Sequence, residues 1–522
     1  MPEKNEAHRH ACPRLAQHKG HVMAQWKTLG AGVALSALMG TTAAFADVTA
    51  AEVWKRWSDT AVSMGQQVSV GSERREGNTL VLRDLVFSQA TPEGGYSANV
   101  PELRLRERGD GSVEVTVAPE IPMQINATPT EGPATDMAVV MRTKDMRTIV
   151  AGTPEAMSYA ITAPKIVLEG DAADAAAAGS AGAGGVPVKF LVTMTGNEGA
   201  YTVDGADVQM IDGKFTTDAI DFTLSGADAE AGSTFTAKGG TEDLSLTGKT
   251  RMPKGVDMQD MAAALAAGFS STGAITYGKT GYVMDFSDAE GTGNIKSSAD
   301  SATLDFSVSG DGLSYAGQGT GTQVEITAPT MPFPVSFAMQ QAAFKFAMPV
   351  AKRDMAQDFG LKLDFSGVTI SEALWGMFDP TAQLPRDPAR LLVDITGKAK
   401  LVADFFDATA MQSGAAPGEI EAVKLTAMQL NVAGADLSGT GDVTVDNSGA
   451  APKPVGAVNL RLVGGNTLID KLVAMGLLPD DQAMGARMML GLFAVPSGED
   501  TLTSTIEFRA DGGIYANGQR LQ

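Results

Sequence analysis

The chain has 522 residues and a formal net charge of −21, with 44% hydrophobic and only 6% aromatic residues. A balance this acidic repels nucleic acid and anionic lipid headgroups at long range, so neither is expected as a general partner. All four histidines (His8, His10, His18, His21) and the single cysteine (Cys12) lie before Met23. Everything after that point lacks the means for Ser-His-Asp or Cys-His nucleophiles, histidine acid–base chemistry, the usual zinc sites and disulfides.

The first element is the stretch Lys27 to Asp47. One positive charge precedes an apolar run, Leu29 to Met39, and the run leads to Ala44-Phe45-Ala46, the small-x-small pattern that signal peptidase requires. Residues 1–46 are expected to be a secretory signal cut after Ala46, with 1–22 a start-site extension ahead of the second start Met23. The apolar core is too short for the roughly 20 residues of a membrane span. Residues 47–522 are then a periplasmic body with 35 basic and 59 acidic residues, a net charge of −24. No transmembrane helix is expected after cleavage.

Val48-Thr49-Ala50-Ala51-Glu52-Val53 carries a helix start. Thr49 and Glu52 can form a capping box, and Val48 can pack on Val53 as a staple. Val53, Trp57, Ala61 and Met64 fall on one face of the helix that follows, a face suited to packing on the body of the protein.

From Gln67 the hydrophobic period changes from helical to two. Thr79–Phe87, Glu102–Arg108, Ser112–Val117, Ala200–Val203, Phe215–Leu224, Thr303–Val308, Thr322–Thr327 and Asp442–Asp446 all alternate between apolar and polar residues, with glycine-rich joints between strands. Val115-Thr-Val-Ala-Pro119, Ile161-Thr-Ala-Pro164 and Ile326-Thr-Ala-Pro329 end alike. Proline cannot donate to a ladder, so each is read as a strand exit or sheet edge, and the recurrence suggests a two-part duplication. Residues 170–186, rich in Ala and Gly, read as a flexible loop. Short helices are expected at Met258–Ala267, Ser371–Phe378, Thr467–Leu478 and Gln482–Phe493. The fold class is therefore mainly β, a β-rich α+β protein: a large antiparallel sheet, elongated and curved or folded as a sandwich, with a few short helices.

Gly273-Ala-Ile-Thr-Tyr-Gly278-Lys279-Thr280 matches the phosphate-loop pattern in every position. That chemistry needs a helix after the loop, and the residues on both sides alternate like strands. The segment is expected to be a hairpin that binds no nucleotide. No G-x-S-x-G elbow, Ser-x-x-Lys dyad or EF-hand loop occurs, and no cofactor is implied. A carboxylate pair is chemically possible but cannot be singled out among 59 acidic residues. Trp54, Trp57 and Trp375 are few as sugar platforms, and the aromatic scarcity argues against the girdles of an outer-membrane barrel.

Phe45-Ala-Asp-Val-Thr-Ala-Ala-Glu-Val-Trp54-Lys-Arg-Trp57 and the closing Gly512-Gly-Ile-Tyr-Ala-Asn-Gly-Gln-Arg-Leu521 resemble an exported alphaproteobacterial family, domain of unknown function 2125. The resemblance implies coverage of essentially the whole of 47–522 and carries no activity or site residues. The strand-rich body closed by an Asn-Gly hairpin is similar, in architecture only, to large envelope proteins that handle lipids on long curved sheets.

Together these features point to a periplasmic, non-enzymatic protein binding an apolar ligand, a lipid, or an envelope partner protein. The competing readings are a carboxylate-dependent hydrolase and a purely structural envelope component. Too few helices are expected to cover the sheet. Any open apolar strip should exceed the roughly 300–600 Å² of an ordinary largest patch and be bordered by the ligand-binding candidates Met484, Met488, Leu492 and Phe493.

Overall fold

A computed structural model describes residues 47–522 except 92–93, 128–134, 176–185, 229–230, 259, 408–417 and 450. The expected signal segment, 1–46, lies outside the described residues. The chain enters through helix α1 (Ala50–Ser63), built as its sequence dictates. The Thr49 hydroxyl accepts from Glu52 N–H, and the Glu52 carboxylate accepts from Thr49 N–H at 2.9 Å, so the capping box is complete. Val48 and Val53 are both buried, as a staple requires, and Ala61 is buried on the same face. Met64 departs from the expected face: it caps the C-terminus and is exposed.

Among the described residues there follows one antiparallel sheet of 26 strands. Strands β1 (Gln67–Glu76), β2 (Thr79–Thr91) and β3 (Gly94–Glu107) pair in order. Next to β3 lie two strands end to end, β4 (Val113–Val117) and β5 (Glu120–Ala127), and next to those β6 (Thr135–Lys144) and β7 (Arg147–Thr153). Long strands resume with β8 (Ala156–Ala175), β9 (Val186–Asp204), β10 (Val208–Asp228) and β11 (Ser233–Pro253). The expected loop at 170–186 is corrected at its ends, because Gly170–Ala175 and Val186 belong to strands, and the rest of it, 176–185, lies outside the described residues. After helix α2 (Met261–Ala266) the end-to-end arrangement recurs. β12 (Ser270–Tyr277) and β13 (Thr280–Asp288) both pair with β11, and β14 (Gly291–Ala299) and β15 (Ser301–Ser309) lie beyond them.

The expected hairpin at Gly273–Thr280 is thus corrected. β12 and β13 do not pair with each other but continue in one line along β11, so the chain passes straight through Gly278 and Lys279. A strand also stands where a phosphate loop would need a helix.

β16 (Gly312–Thr327), β17 (Val335–Met348), β18 (Gln357–Ile370), β19 (Ala389–Leu401), β20 (Gly418–Val432), β21 (Ala435–Asp446) and β22 (Lys453–Val463) continue the sheet. Helix α3 (Glu372–Phe378) separates β18 from β19, and α4 (Gly465–Ala474) and α5 (Asp480–Phe493) follow β22. The sheet closes with β23 (Val495–Gly498), β24 (Thr501–Phe508), β25 (Ile514–Ala516) and β26 (Gln519–Arg520). The last two strands form the expected Asn517-Gly518 hairpin, both turn residues having φ > 0.

A line of unpaired residues crosses this sheet from β1 to β18. Gly71 and Asp84 drop out of the β1–β2 register, Asp218 and Asp243 out of β10–β11, and Gly321 and Gln340 out of β16–β17. Asp84, Asp145, Gly196, Asp243, Gly321 and Gly367 on this line all have φ near +50 to +66°. Aspartate tolerates that left-handed conformation better than most residues do. At each interruption one residue of both strands leaves the ladder while the register is kept. The phase slip is visible in β2, where Leu82 and Leu85 are both buried although they lie three apart. Pro101, Pro119 and Pro164 also fall on the line. The ladder is already broken there, so their missing N–H groups cost nothing. Pro164 is therefore no strand exit, since β8 runs through it, whereas Pro329 follows the end of β16. The three prolines do not mark equivalent positions.

We call this line the crease and the two parts of the sheet its limbs: the first contains β5, β6, β13 and β14, the second β4, β7, β12 and β15. Asn197 pins its middle. Its amide donates to the Ala163 and Met194 carbonyls at 2.9 and 3.1 Å and accepts from the Thr217 hydroxyl at 2.9 Å, the first and last of these bonds buried and that to Met194 half-buried.

Candidate functional site

The apolar residues of both limbs face one interior. At the β1–β9 end, Leu85, Val100 and Ile121 of the first limb share a core with Leu82, Leu103, Leu105, Val150 and Tyr159 of the second. Helix α1 crosses this end as a bar. Its start is held to the second limb by Val48 N–H donating to Gly111 and Arg56 Nη1 donating to the Pro154 carbonyl at 2.9 Å. Its far end meets the first limb, where Gln89 Nε2 donates to the Met64 carbonyl. Fourteen helical residues span about 21 Å.

Beyond β9 the same face continues but is not closed. In the second limb Tyr315 stands opposite Phe346, Phe346 opposite Leu361 and Leu361 opposite Ile395, a row of apolar side chains across β16 to β19. In that row Phe346 and Leu361 are each 39% exposed. Tyr282 in the first limb and Leu430 on β20 are equally open, at 42% and 38%. The opposite face carries cross-strand ion pairs such as Lys249–Asp212, Lys296–Glu325 and Lys398–Asp358, with single exposed apolar side chains such as Leu191, Met210 and Val283 among them. Such exposed pairs contribute little stability. They do show which face the strands turn to water.

The open face is lined in a particular way. Phe215 lies over Gly199, Phe235 over Gly226, Phe286 over Gly293, Phe306 over Gly273, Phe344 over Gly317 and Phe359 over Gly397, each ring directly opposite its glycine on the next strand. A Cβ added at these glycines would come within 2.0–3.0 Å of the ring. The glycines thus let the rings lie flat on the sheet, which covers backbone with apolar surface and keeps the floor shallow. A hollow of about 300 Å³ indents the first limb around Val324, Phe337 and Ile370.

The crease ends at Gly367, and its line continues as the strand rim from Ala389 to Thr501. From this rim depart α3, α4 and α5. The α4 start is fixed by Asp500, whose carboxylate accepts from Asn466 and Thr467 N–H at 3.0 and 2.9 Å. Hydrogen bonding from Thr467, and then from Asn466, holds the Asp500 carboxyl below its usual pKa although partial burial pushes the other way. The sequence candidates sit on α5, with Met484, Met488 and Leu492 on one helix face. Both methionines are 71% exposed and Leu492 is 43% exposed. Phe493 is half-buried, and its carbonyl accepts from Ser504 and Asn517. They belong to the rim, whereas the floor is made by strand residues that sequence reasoning did not single out.

Among the described residues no cluster of three or more acidic, histidine or cysteine side chains gathers. Among the described residues every carboxylate with a displaced pKa is displaced downward, as at Glu102 and Asp511. None of them is thereby prepared to donate a proton near neutrality. No helix among the described residues is long and apolar enough to cross a membrane, a statement that leaves strand-built barrels aside.

Residues 263–521 match the family DUF2125, described as an uncharacterised protein conserved in bacteria, and this region of the chain belongs to it. The match runs from α2 to the closing hairpin. It is narrower than the whole-body coverage implied by the sequence resemblance and leaves out the Phe45–Trp57 stretch. No curated protein and no solved structure matches the chain.

Proposed function

We propose that this is an exported, periplasmic, non-enzymatic protein whose inner sheet face holds an apolar chain, such as the acyl chain of a lipid. The observation that carries the reading is the open floor of aromatic and leucine side chains between β10 and β22. Apolar surface left in water forgoes about 25 cal/mol per Å², and a continuous patch with a polar surround marks a binding site. The flat Phe-over-Gly lining supplies smooth apolar contact without polar groups that a hydrocarbon would leave unpaired. The exposed methionine face of α5 favours an envelope partner protein as the second reading, because methionine makes an adaptable contact surface.

The test is native mass spectrometry and lipid extraction on protein purified from its own periplasm without detergent. Co-purifying lipid is expected, and it should be lost from the double variant Phe346→Asp/Leu361→Asp. Wild-type protein free of lipid, or a variant that keeps the same lipid load, would refute the assignment.

A further inference from the structure

Four hydrogen-bond donors gather at the closed end, on Arg56, Trp57, Tyr159 and Tyr201, and the first three are poorly used. Arg56 and Trp57 reach in from α1, where Arg56 Nη2 is buried without a partner and Trp57 Nε1 has only the Tyr159 hydroxyl as a weak acceptor, in poor hydrogen-bond geometry. A buried donor left unpaired costs about 1–3 kcal/mol, so such groups call for an explanation. Trp57 lies 6.3 Å from Tyr159 between ring centroids, and Tyr159 stacks on Tyr201 at 4.1 Å and 10°. The Tyr159 hydroxyl has only the weak acceptor Met157 Sδ, at 3.2 Å. Burial raises the pKa of both tyrosines, so both stay neutral donors. No carboxylate pairs with Arg56 among the described residues, although the chain is strongly acidic.

A lane floored by glycines leads away from this cluster. Tyr201 stands opposite Gly213, Gly213 opposite Gly248, and Gly248 opposite Gly273. Gly213 and Gly248 leave the inner face bare over about 5 Å at ~4.8 Å per strand, and the Phe306 ring covers Gly273 beyond them. Above Gly248 the space is open, since an added Cβ would meet only the Thr272 carbonyl at 3.6 Å. At its far end the lane reaches Phe306 and the aromatic floor.

We propose that the ligand is a long-chain carboxylate, held headgroup-first by Arg56, Trp57, Tyr159 and Tyr201 with its chain laid along the glycine lane onto the open floor. One unpaired guanidinium edge with three neutral donors fits a single negative charge. The net charge of the chain opposes anionic surfaces at long range, but within the cluster the only charge is positive. The proposal rests on the apolar-face reading above and specifies its headgroup.

Titration calorimetry of delipidated protein with a long-chain fatty acid and with the alcohol of equal length tests it, at a pH where the acid is ionised. The acid should bind about tenfold more tightly than the alcohol, as one charge-assisted contact implies. In Arg56→Met the two should bind alike, and in Tyr159→Phe, which keeps the ring stack, the preference should shrink. Arg74→Met, which removes an exposed charge on β1, should keep the full preference. Equal binding of acid and alcohol by the wild type would overturn the headgroup assignment alone, as would a preference that survives in both Arg56→Met and Tyr159→Phe. Failure of both ligands to bind the wild type would overturn the apolar-face reading as well.

Discussion

Gly248 and Gly273 are direct neighbours on adjacent strands, and the same substitution should have opposite effects on them. At Gly273 an added Cβ would lie 2.4 Å from Phe306 Cε1 and 2.9 Å from the Thr247 carbonyl. The ring must swing off the sheet or the strand must move, an overpacking that typically costs about 1–3 kcal/mol. At Gly248 the new methyl meets ordinary contact distance. Alanine also restricts the unfolded chain there, which is worth about 0.4–1 kcal/mol in favour of folding. The two variants should therefore separate by roughly 2–3 kcal/mol. Urea unfolding followed by circular dichroism reads this as midpoints on opposite sides of wild type at unchanged slope. Adding Phe306→Leu should recover part of the Gly273→Ala loss, a coupling of about 0.5–3 kcal/mol. Equal midpoints for the two alanine variants, or additive behaviour with Phe306→Leu, would show that rings do not rest on glycines along this floor.

N-terminal sequencing of the exported protein should begin at Asp47, and a different start would move the cleavage site. Lys279→Ala should change stability by no more than about 0.5 kcal/mol and leave no ATP binding to be lost; saturable ATP binding abolished by the change would overturn the strand assignment of this segment. Asn197→Ala removes two buried hydrogen bonds and one half-buried one at the crease, about 3 kcal/mol at ~1 kcal/mol each. Urea unfolding monitored by the fluorescence of Trp54 and Trp57, which pack on the adjoining core, should show this loss, and wild-type stability would refute the pinning role. The folded Asp500 carboxyl lies below its ordinary pKa of 3.8, so its contribution is complete above that value and fades as pH falls through the lower folded one. Asp500→Asn, which can still cap α4, should flatten the acid limb of the thermal stability profile; an unchanged limb would remove Asp500 from that account.

Features that depend on residues close in sequence were legible before the fold was known. The Thr49–Glu52 box, the alternating strands and the α5 period each declare themselves within one or two turns or a single strand. The crease does not, because its members lie one to a strand and only register aligns them. One local sign was available: Leu80 and Leu82 alternate, then Leu85 and Phe87 resume one residue out of phase at Asp84. The reading of Gly278-Lys279 as a hairpin fails because a glycine between two alternating runs describes both a tight turn and an interruption in a continuous line of strand. Pairing of both runs with β11 decides between them, and no local pattern carries it. The floor was hidden for a similar reason. Gly293 and Phe286 lie equally far from the β13–β14 turn, as do Gly226 and Phe235 from the β10–β11 turn, so each pair meets only once the hairpin is drawn. The candidates Met484, Met488 and Leu492 were chosen from helical periodicity, which finds amphipathic helices and is blind to a lining shared among strands.

The crease also partitions the molecule's tolerance of change. Between Val70 and Ser72, or between Ala219 and Thr217, one unpaired residue separates the two ladders that a strand serves. A length change made at the turn of one limb can thus be taken up without sliding side chains from inside to outside in the other, a slip that an uninterrupted strand would transmit along its length. Each limb can lengthen, shorten or acquire insertions at its own margin, while the lining opposite keeps its phase. A protein built in this way can change the depth of one wall and conserve the other.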